Sequence, residues 1–217
     1  MNIGVLGTGA VGCAVATRLV ELGHIVVMGT RDVANPKAHE WLTSVGAKRG
    51  ARVGTFAESA AHAALVINAT AGVGALEALR LAGDRHLHGK VLVDIANPLD
   101  VSHGWPPTLS VCNTDSLGEQ IQRAFPEVMV VKALNTMNAH VMVHPARLGE
   151  DHTTFIAGND AEAKATVADL LRSFGWRSIL DVGGIEAARG LEAYVLLWVS
   201  MRSAQETNAF NIKIVRS

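Results

Sequence analysis

Near the start of the chain the sequence reads Gly7-Thr8-Gly9-Ala10-Val11-Gly12, and this pattern constrains the fold more than any other segment. It lies between an apolar run, Asn2–Leu6, and a helical pattern, Ala10–Leu22. In a strand–turn–helix unit, the first glycine permits a tight turn, the second lets a pyrophosphate approach the backbone, and the third lets the helix pack on the strand. Free amides at the start of the helix then face the phosphates. The pattern predicts a dinucleotide site, the alternative being a turn that serves packing alone.

Apolar runs typical of strands alternate with helical patterns along the rest of the chain, as expected for a parallel sheet covered by helices on both faces. The predicted strands are Asn2–Leu6, Ile25–Gly29, Ala64–Ala69, Lys90–Ile95, Val128–Leu134, Thr153–Ala157 and Ser178–Val182, with a weaker one near Ala51–Val53. The predicted helices are Ala10–Leu22, Pro36–Val45, Thr55–His62, Gly74–Leu81, Ser116–Ala124 and Ala161–Phe174. This order predicts an α/β protein with a Rossmann-type, doubly wound, mostly parallel sheet.

The end of the second predicted strand indicates which dinucleotide is bound. Proteins that bind NAD place an acidic residue there for the ribose hydroxyls, but this strand ends in Thr30 and Arg31, and Asp32 follows only after the arginine. A guanidinium can hold a 2′-phosphate through two charge-assisted hydrogen bonds, and Lys37 adds positive charge in the next helix. The alternative is a surface Arg31 paired with Asp32. We favour NADP.

Small polar residues follow three other predicted strands, where ligands of open α/β sheets bind. We expect one set to run past the adenosine ribose and the pyrophosphate: Ala69, Thr70 and Ala71. We expect a second set to lie nearer the nicotinamide: Asn97, Pro98, Asn135 and Met137. For each asparagine, a turn or a helix cap is the alternative. The segment from Pro98 to Thr114 lacks periodicity and is a candidate substrate loop.

No pattern identifies an acid or a base, so the catalytic residues stay unassigned. The only tyrosine, Tyr194, excludes a Tyr-x-x-x-Lys proton relay, and Lys132 is either a general acid or an edge or partly buried structural lysine. His140 and His144 have no third ligand that would complete a metal site. Hydride transfer without an acid or base suits a second redox ring as partner, because the protein then only holds two rings in contact.

The C-terminal part differs from the rest. Leu191–Met201 is apolar nearly all round, which predicts a buried helix, either inside the monomer or in a dimer interface. Phe210–Ile214 alternates like a final half-exposed strand. We therefore expect an NADP-binding Rossmann domain at 1–183 and, at 184–217, a small extension of helix and strand that packs on the same domain.

Composition restricts the partners and the compartment. A formal net charge of -1 gives no broad electrostatic surface for nucleic acid or an anionic membrane. Cys13 and Cys112 lie far apart and form no C-x-x-C pattern, which favours a reducing compartment. The glycine-interrupted N-terminus lacks the basic region of a signal peptide, and Leu191–Met201 is too short to span a bilayer. We expect a cytoplasmic protein.

Several of these segments resemble one family, the NADPH-dependent reductases of the deazaflavin coenzyme F420, which are grouped with the oxidoreductase domain of STEAP-type ferric reductases. Beside the glycine motif, the similar segments are Gly29-Thr30-Arg31, Val131-Lys132-Ala133-Leu134-Asn135-Thr136, Gly158-Asn159-Asp160-Ala161-Glu162-Ala163-Lys164 and Asn211-Ile212-Lys213-Ile214. The resemblance implies that Thr30 and Arg31 hold the 2′-phosphate, that residues after Asn135 border the nicotinamide, and that the protein is a homo-oligomer, for which we expect a dimer. Archaeal members carry His in place of Asn135 and differ in the loops Thr70-Ala71-Gly72 and Asn97-Pro98-Leu99-Asp100.

Three functions are consistent with the sequence. The first is an NADP-dependent oxidoreductase that exchanges hydride with F420 or a flavin. The second is an NADP-dependent dehydrogenase or reductase of small molecules, although such enzymes carry a long helical C-terminal domain and the segment after Gly175 is short. The third is a non-catalytic NADP sensor that regulates a partner.

Overall fold

The structure is a computed structural model, and it describes residues 1–45 and 50–215. At its centre is an eight-stranded sheet. In chain order, the strands of this sheet are β1 (Asn2–Leu6), β2 (Ile25–Thr30), β3 (Ala51–Thr55), β4 (Leu65–Asn68), β5 (Val91–Asp94), β8 (Met129–Ala133), β9 (Thr153–Gly158) and β10 (Ser178–Asp181). The spatial order is β10-β9-β8-β5-β4-β1-β2-β3. Only the β8–β9 pair is antiparallel among these neighbours. The predicted doubly wound, mostly parallel sheet is confirmed.

Helices cover both faces of the sheet. They are α1 (Ala10–Glu21), α2 (Pro36–Val45), α3 (Phe56–His62), α4 (Ala75–Ala82), α5 (Asp84–Leu87), α6 (Leu117–Ala124), α7 (Ala139–Val143), α8 (Ala161–Phe174) and α9 (Ala188–Gln205). On one face, α1, α2, α7 and α8 contribute buried residues such as Leu19, Trp41 and Val167 to a shared core. On the other face, α3 to α6 and the start of α9 contribute residues such as Leu79, Ile121 and Ala188. Both faces are thus buried, which explains the continuous apolar strands.

Short polar side chains fix where several helices begin. The Asn35 side chain accepts hydrogen bonds from the backbone amides of Lys37 (3.0 Å) and Ala38 (3.3 Å) at the start of α2. The Asp160 side chain accepts from the amide of Ala163 at 2.7 Å at the start of α8. These bonds satisfy first-turn amides that the helix itself leaves without partners.

Three short features lie outside the sequence prediction. Helices α5 and α7 are too brief, at four and five residues, to produce a helical period in the sequence. The aperiodic segment after Pro98 contains two short strands, β6 (Leu99–Asp100) and β7 (Thr108–Leu109), which pair antiparallel. Each pairs over only two residues, and such a short ladder leaves no alternating pattern to read.

The C-terminal predictions need two corrections. Within the monomer α9 is not buried on all sides, because Leu196 and Leu197 are 37% and 56% exposed while Leu191, Val195 and Val199 are buried. This corrects the expectation of full burial inside the monomer, and the alternative of a dimer interface stays a prediction. Phe210–Ile214 is not a strand, although it runs beside β9. The Thr153 amide donates to the Ile212 carbonyl, but the Ile214 amide donates to the Thr153 hydroxyl instead of a backbone carbonyl. The ladder is therefore broken after one bond.

The strand order creates a crevice above β1. Strand β1 has β2 on one side and β4 on the other, so the connections leaving their carboxyl ends diverge. In an open α/β sheet, ligands bind at such a switch point. The turn at Gly7 closes against this crevice, since its backbone has φ of +119° and lies close to the carbonyl of Ala69.

We predict that Gly7→Ala lowers the free energy of unfolding by about 1–3 kcal/mol, measured by urea denaturation. The added Cβ would lie 2.5 Å from the Ala69 carbonyl oxygen, and the positive φ is strained for alanine. Gly9→Ala is the matched control, because Gly9 has φ of -76° and nothing lies within 4 Å of an added Cβ. We expect the control to stay within about 0.5 kcal/mol of the natural protein. Equal losses in the two variants would contradict this account.

Candidate functional site

The glycine turn leaves the start of α1 open to a ligand. Gly9 is the N-cap of α1 and no side chain caps the first-turn amides. Gly9 and Ala10 are exposed, Thr8 is half-buried beside them, and the space beside the Gly9 Cα is empty of protein atoms. Gly12 packs so closely on the carbonyl of Gly7 that no side chain fits between them. The turn therefore presents free N–H groups and room for a pyrophosphate.

Beyond β2, Thr30 and Arg31 lie where the sequence predicts the 2′-phosphate. Thr30 is buried and Arg31 is exposed. Within residues 1–45 and 50–215, Arg31 makes no salt bridge. The Asp32 carboxylate instead accepts a hydrogen bond from the Ala34 amide at 2.9 Å. The alternative Arg31–Asp32 pair is absent, which leaves the guanidinium available for an anion.

Lys37 adds a second positive charge on the same side. It is exposed in the first turn of α2, and its charge acts on the Cys13 thiol one turn into α1. Burial raises the pKa of Cys13, and the Lys37 ammonium partly opposes that rise. The two cationic side chains thus lie on the side of the crevice where the adenosine phosphates are expected.

A cavity of about 310 Å³ lies at the carboxyl ends of β4, β5 and β8. Seven of the predicted site residues line it: Val11, Ala69, Thr70, Ala71, Asn97, Asn135 and Met137. Seven further residues complete the lining: Gly72, Ile95, Ala96, Leu99, Met142, Val195 and Trp198. The lining is mainly apolar with a few polar groups, as is usual for a cofactor site. Cavities of this size accommodate a ring such as nicotinamide.

Asn97 and Asn135 hold each other in this cavity. The Asn97 side-chain amide donates to the Asn135 carbonyl at 2.8 Å, and the Asn135 side-chain amide donates to the Asn97 side-chain oxygen at 2.9 Å. Asn135 also donates to the Leu191 carbonyl of α9 at 2.9 Å. Its preceding residue, Leu134, has φ of +60°, which turns the chain sharply at the end of β8. Both asparagines therefore have more than a turn-forming role.

Two polar atoms of the residues that line the cavity have unused hydrogen-bonding capacity. The Asn135 Oδ1 atom is buried and, within the described residues, accepts no hydrogen bond. The Thr70 hydroxyl donates its proton to Asn68 Oδ1 at 2.7 Å, so toward a ligand it can act only as an acceptor. An unpaired buried oxygen costs free energy, and a carboxamide N–H group of a bound nicotinamide would satisfy it.

Pro98 does not line the cavity. It is buried, and its carbonyl accepts from the Ser110 amide at 2.8 Å and from the Ser110 hydroxyl at 3.2 Å. These bonds secure the β6–β7 hairpin. Within the candidate substrate loop, Leu99 is the lining residue.

Three of the lining residues that sequence reasoning missed come from helices packed over the crevice. Val195 and Trp198 are three apart on one face of α9, and Met142 belongs to α7. The helical spacing of Val195 and Trp198 predicts that this face of the helix is buried, but it does not show which part of the protein the face packs against. The Trp198 ring stacks on Phe210 with centroids 5.4 Å apart, and this contact involves the tail expected to be a strand.

The sequence predicts that Lys132 lies at an edge or is partly buried, and the structure corrects both expectations. Lys132 lies in the interior strand β8 with 0% exposure. Its ammonium contacts Asp94 Oδ2 at 2.7 Å, Glu192 Oε1 at 2.7 Å and the Ala96 carbonyl at 2.6 Å. Burial would lower the pKa of Lys132, but the two carboxylates outweigh it and raise the pKa above its ordinary value. With all three protons engaged, Lys132 is not placed to act as a general acid.

Other chemistry has little support in the described residues. No group of three His, Cys, Asp or Glu side chains comes together there as a metal site. No helix in that part of the chain combines the length and apolarity that a membrane crossing needs. Burial and the nearby Arg18 charge lower the pKa of His144, which favours its neutral form.

Comparisons with known proteins agree with this geometry. The model of the family described as NADP oxidoreductase, coenzyme F420-dependent, matches residues 2–98. A solved structure from Arthrobacter sp. FB24, described as a candidate F420-dependent NADP reductase, is 52% identical with a TM-score of 0.95, and each chain is covered over 100% of its length. The F420-dependent NADP reductase of Methanocaldococcus jannaschii is 28% identical over 221 residues, which are 99% of this chain and 98% of that protein.

A further relative is metalloreductase STEAP3 of Rattus norvegicus, which is 33% identical to this chain over 195 residues. The alignment covers 90% of this chain but only 36% of STEAP3. The full-length match to the Arthrobacter structure, together with the family model over the glycine turn, establishes the relationship. This chain belongs to the F420-dependent NADP oxidoreductase family.

Proposed function

We propose that this protein transfers hydride between NADPH and the deazaflavin F420, with a flavin as the alternative partner. The observation that carries the NADP part is the exposed Arg31 guanidinium just beyond β2, which forms no salt bridge with any described residue, on the same side of the crevice as the uncapped start of α1. The F420 part is supported by membership of the family and by the names of the full-length relatives.

The adenosine half of NADP would lie over the glycine turn. Amides at the start of α1, around Thr8, Gly9 and Ala10, are placed to donate to the pyrophosphate. Arg31 and Lys37 supply positive charge for the 2′-phosphate, and Thr30 can add a hydroxyl. No acidic side chain stands at the tip of β2 to repel that phosphate.

The nicotinamide half would enter the cavity. When bound, NADPH supplies the hydride from its nicotinamide ring. Asn135 Oδ1 has no hydrogen-bond partner among the described residues and would accept from the carboxamide, and Ala69 and Thr70 border the approach to the pyrophosphate. Leu99, Val195 and Trp198 also line the cavity, and their apolar surface would restrict the entry of water.

The lining of the cavity favours a ring as hydride partner. None of the described residues that line it carries a carboxylate, an imidazole or an amine. A carbonyl substrate needs a proton together with the hydride, and this lining has no group to supply one. Transfer between two stacked heterocycles needs mainly their alignment and the exclusion of water.

We predict that Arg31→Ala raises the KM for NADPH about ten- to hundredfold, because it removes a charge-assisted contact of roughly 1.5–3 kcal/mol. The KM for NADH, measured in the same steady-state assay, should change much less. Arg172→Ala is the control, since Arg172 is exposed on α8 and pairs with Asp169 on that same helix. Equal changes for NADPH and NADH would show that Arg31 does not recognise the phosphate.

The activity itself is tested by mixing the protein with NADPH and oxidised F420, and separately with FMN, while following the NADPH and deazaflavin absorbances. Oxidation of NADPH that matches reduction of F420 is the expected result. Tight NADPH binding without turnover of either acceptor would overturn the proposal and favour a non-catalytic NADP sensor.

We also propose that the protein is a cytoplasmic homodimer that pairs through the exposed face of α9. Leu196 and Leu197 expose apolar surface on that helix. The proposed location is supported by the free Cys13 and Cys112, which suit a reducing compartment.

We predict that Leu197→Glu shifts the protein from dimer to monomer in light scattering after size exclusion, because it would bury a charge in the interface. Leu81→Glu is the matched control, since Leu81 is 50% exposed on α4, against 56% for Leu197. A monomeric natural protein, or a dimer in both variants, would contradict this interface.

A further inference from the structure

Three charged side chains meet in the interior beneath the cavity, and we call them the buried triad: Asp94, Lys132 and Glu192. Asp94 and Lys132 have 0% exposure and Glu192 has 1%. They come from three separate elements, β5, β8 and α9. The ammonium of Lys132 therefore links the carboxyl ends of β5 and β8 to the C-terminal helix α9.

The buried triad is bonded on every side. Asp94 Oδ1 accepts from the Asn68 side-chain amide at 2.8 Å, while Glu192 accepts from the backbone amides of Leu117 at 2.8 Å and Gly118 at 3.0 Å. Those two amides belong to the first turn of α6, whose positive end favours a carboxylate. The triad is thus a fixed junction between the sheet, α6 and α9.

Burial of such charges is weak evidence for a stabilising role. Desolvation of buried ions costs several kcal/mol per ion, and apolar replacements of whole buried ion clusters are often neutral or stabilising. One physical reason to keep a buried ion cluster is that it fixes the relative positions of the elements that it joins. The residues around the triad show which positions those are.

The triad borders the cavity directly through the backbone. Lys132 donates to the carbonyl of Ala96, and Ala96 lines the cavity. On the helix, Val195 is three residues after Glu192 and Trp198 is three residues further, so Val195 is a surface neighbour of both Glu192 and Trp198. Val195 and Trp198 form the α9 wall of the cavity. The Asn135 bond to the Leu191 carbonyl is a second tie at the same turn.

We propose that Lys132, Asp94 and Glu192 are positioning residues that hold α9 at a fixed distance from the ends of β5 and β8. They thereby set how the two redox rings lie against each other in the cavity. This inference rests on the proposed hydride transfer. The triad touches neither ring; it acts through Val195, Trp198 and the Ala96 backbone. Binding of the adenosine half depends mainly on the glycine turn and Arg31, to which none of the three triad side chains is hydrogen-bonded.

The test compares Glu192→Gln with a control on the same two helices. Glu192→Gln keeps the shape of the side chain and leaves a neutral Asp94–Lys132 pair, so the fold should persist. Arg189→Gln is the control, because Arg189 joins α9 to Glu119 of α6 at 2.8 Å in a partly exposed pair that does not reach the sheet. For each protein, we would measure the NADPH Kd, the single-turnover rate of hydride transfer to F420 at saturating NADPH, and backbone hydrogen exchange in 188–205.

We expect Glu192→Gln to slow hydride transfer by about ten- to hundredfold, the effect of a misplacement of roughly 1 Å. The NADPH Kd should stay within about threefold, and exchange in 188–205 should become faster. Arg189→Gln should leave the transfer rate and the exchange unchanged. An unchanged rate in Glu192→Gln, or a Kd that rises as much as the rate falls, would overturn the inference.

A second variant separates positioning from stability. The combined change Asp94→Asn, Lys132→Met and Glu192→Gln removes all three charges together and leaves no unpaired ion. We expect a Tm at or above that of the natural protein with slow hydride transfer; normal transfer in a folded variant would overturn the inference. If the natural protein transfers no hydride to F420, the proposed function is wrong. Hydrogen exchange in the variants still tests, independently, whether the triad fixes α9.

Discussion

The site depends on the divergence of the chain on the two sides of β1. Because β2 pairs with one edge of that strand and β4 with the other, the crevice forms wherever their connections separate. The turn at Gly7 can occupy it only by passing very close to the Ala69 carbonyl. This contact fixes the position of the first turn of α1 relative to the sheet, and hence the direction of its free amides. The positions of Arg31, beyond β2, and of Thr70, beyond β4, follow from the same two pairings.

Much of this arrangement was predictable, because it is encoded locally. The glycine spacing, the continuous apolar strands and the absence of an acid at the tip of β2 each have a direct physical meaning, and the fold confirms the sheet that they predict. The places of Asn97 and Asn135 at strand ends also followed from the strand assignments. Their mutual hydrogen bonds did not, because the two residues are far apart in the sequence and meet only through the pairing of β5 with β8.

The errors in prediction have the opposite origin. Lys132 was expected to be a general acid or an edge or partly buried structural lysine, since nothing local shows that Asp94 and Glu192 approach it from other elements. The face of α9 that closes the cavity could not be chosen either, because the helix is apolar on several sides. The tail after Phe210 alternates like a strand, but the Thr153 hydroxyl takes the position that a ladder carbonyl would need to fill. Tertiary partners decide all three cases.

The reversed direction of β9 has a practical consequence. It brings Thr153 to the end of the sheet where the parallel strands finish and the crevice lies. The segment near Ile212 is hydrogen-bonded to Thr153 there. Phe210 rests on Trp198 at that end. An affinity tag or an electrode linker fused after this segment would therefore crowd the route by which a second ring must arrive. The same fusion ahead of Met1 would emerge at the opposite end, and it is the arrangement to choose for immobilised redox measurements.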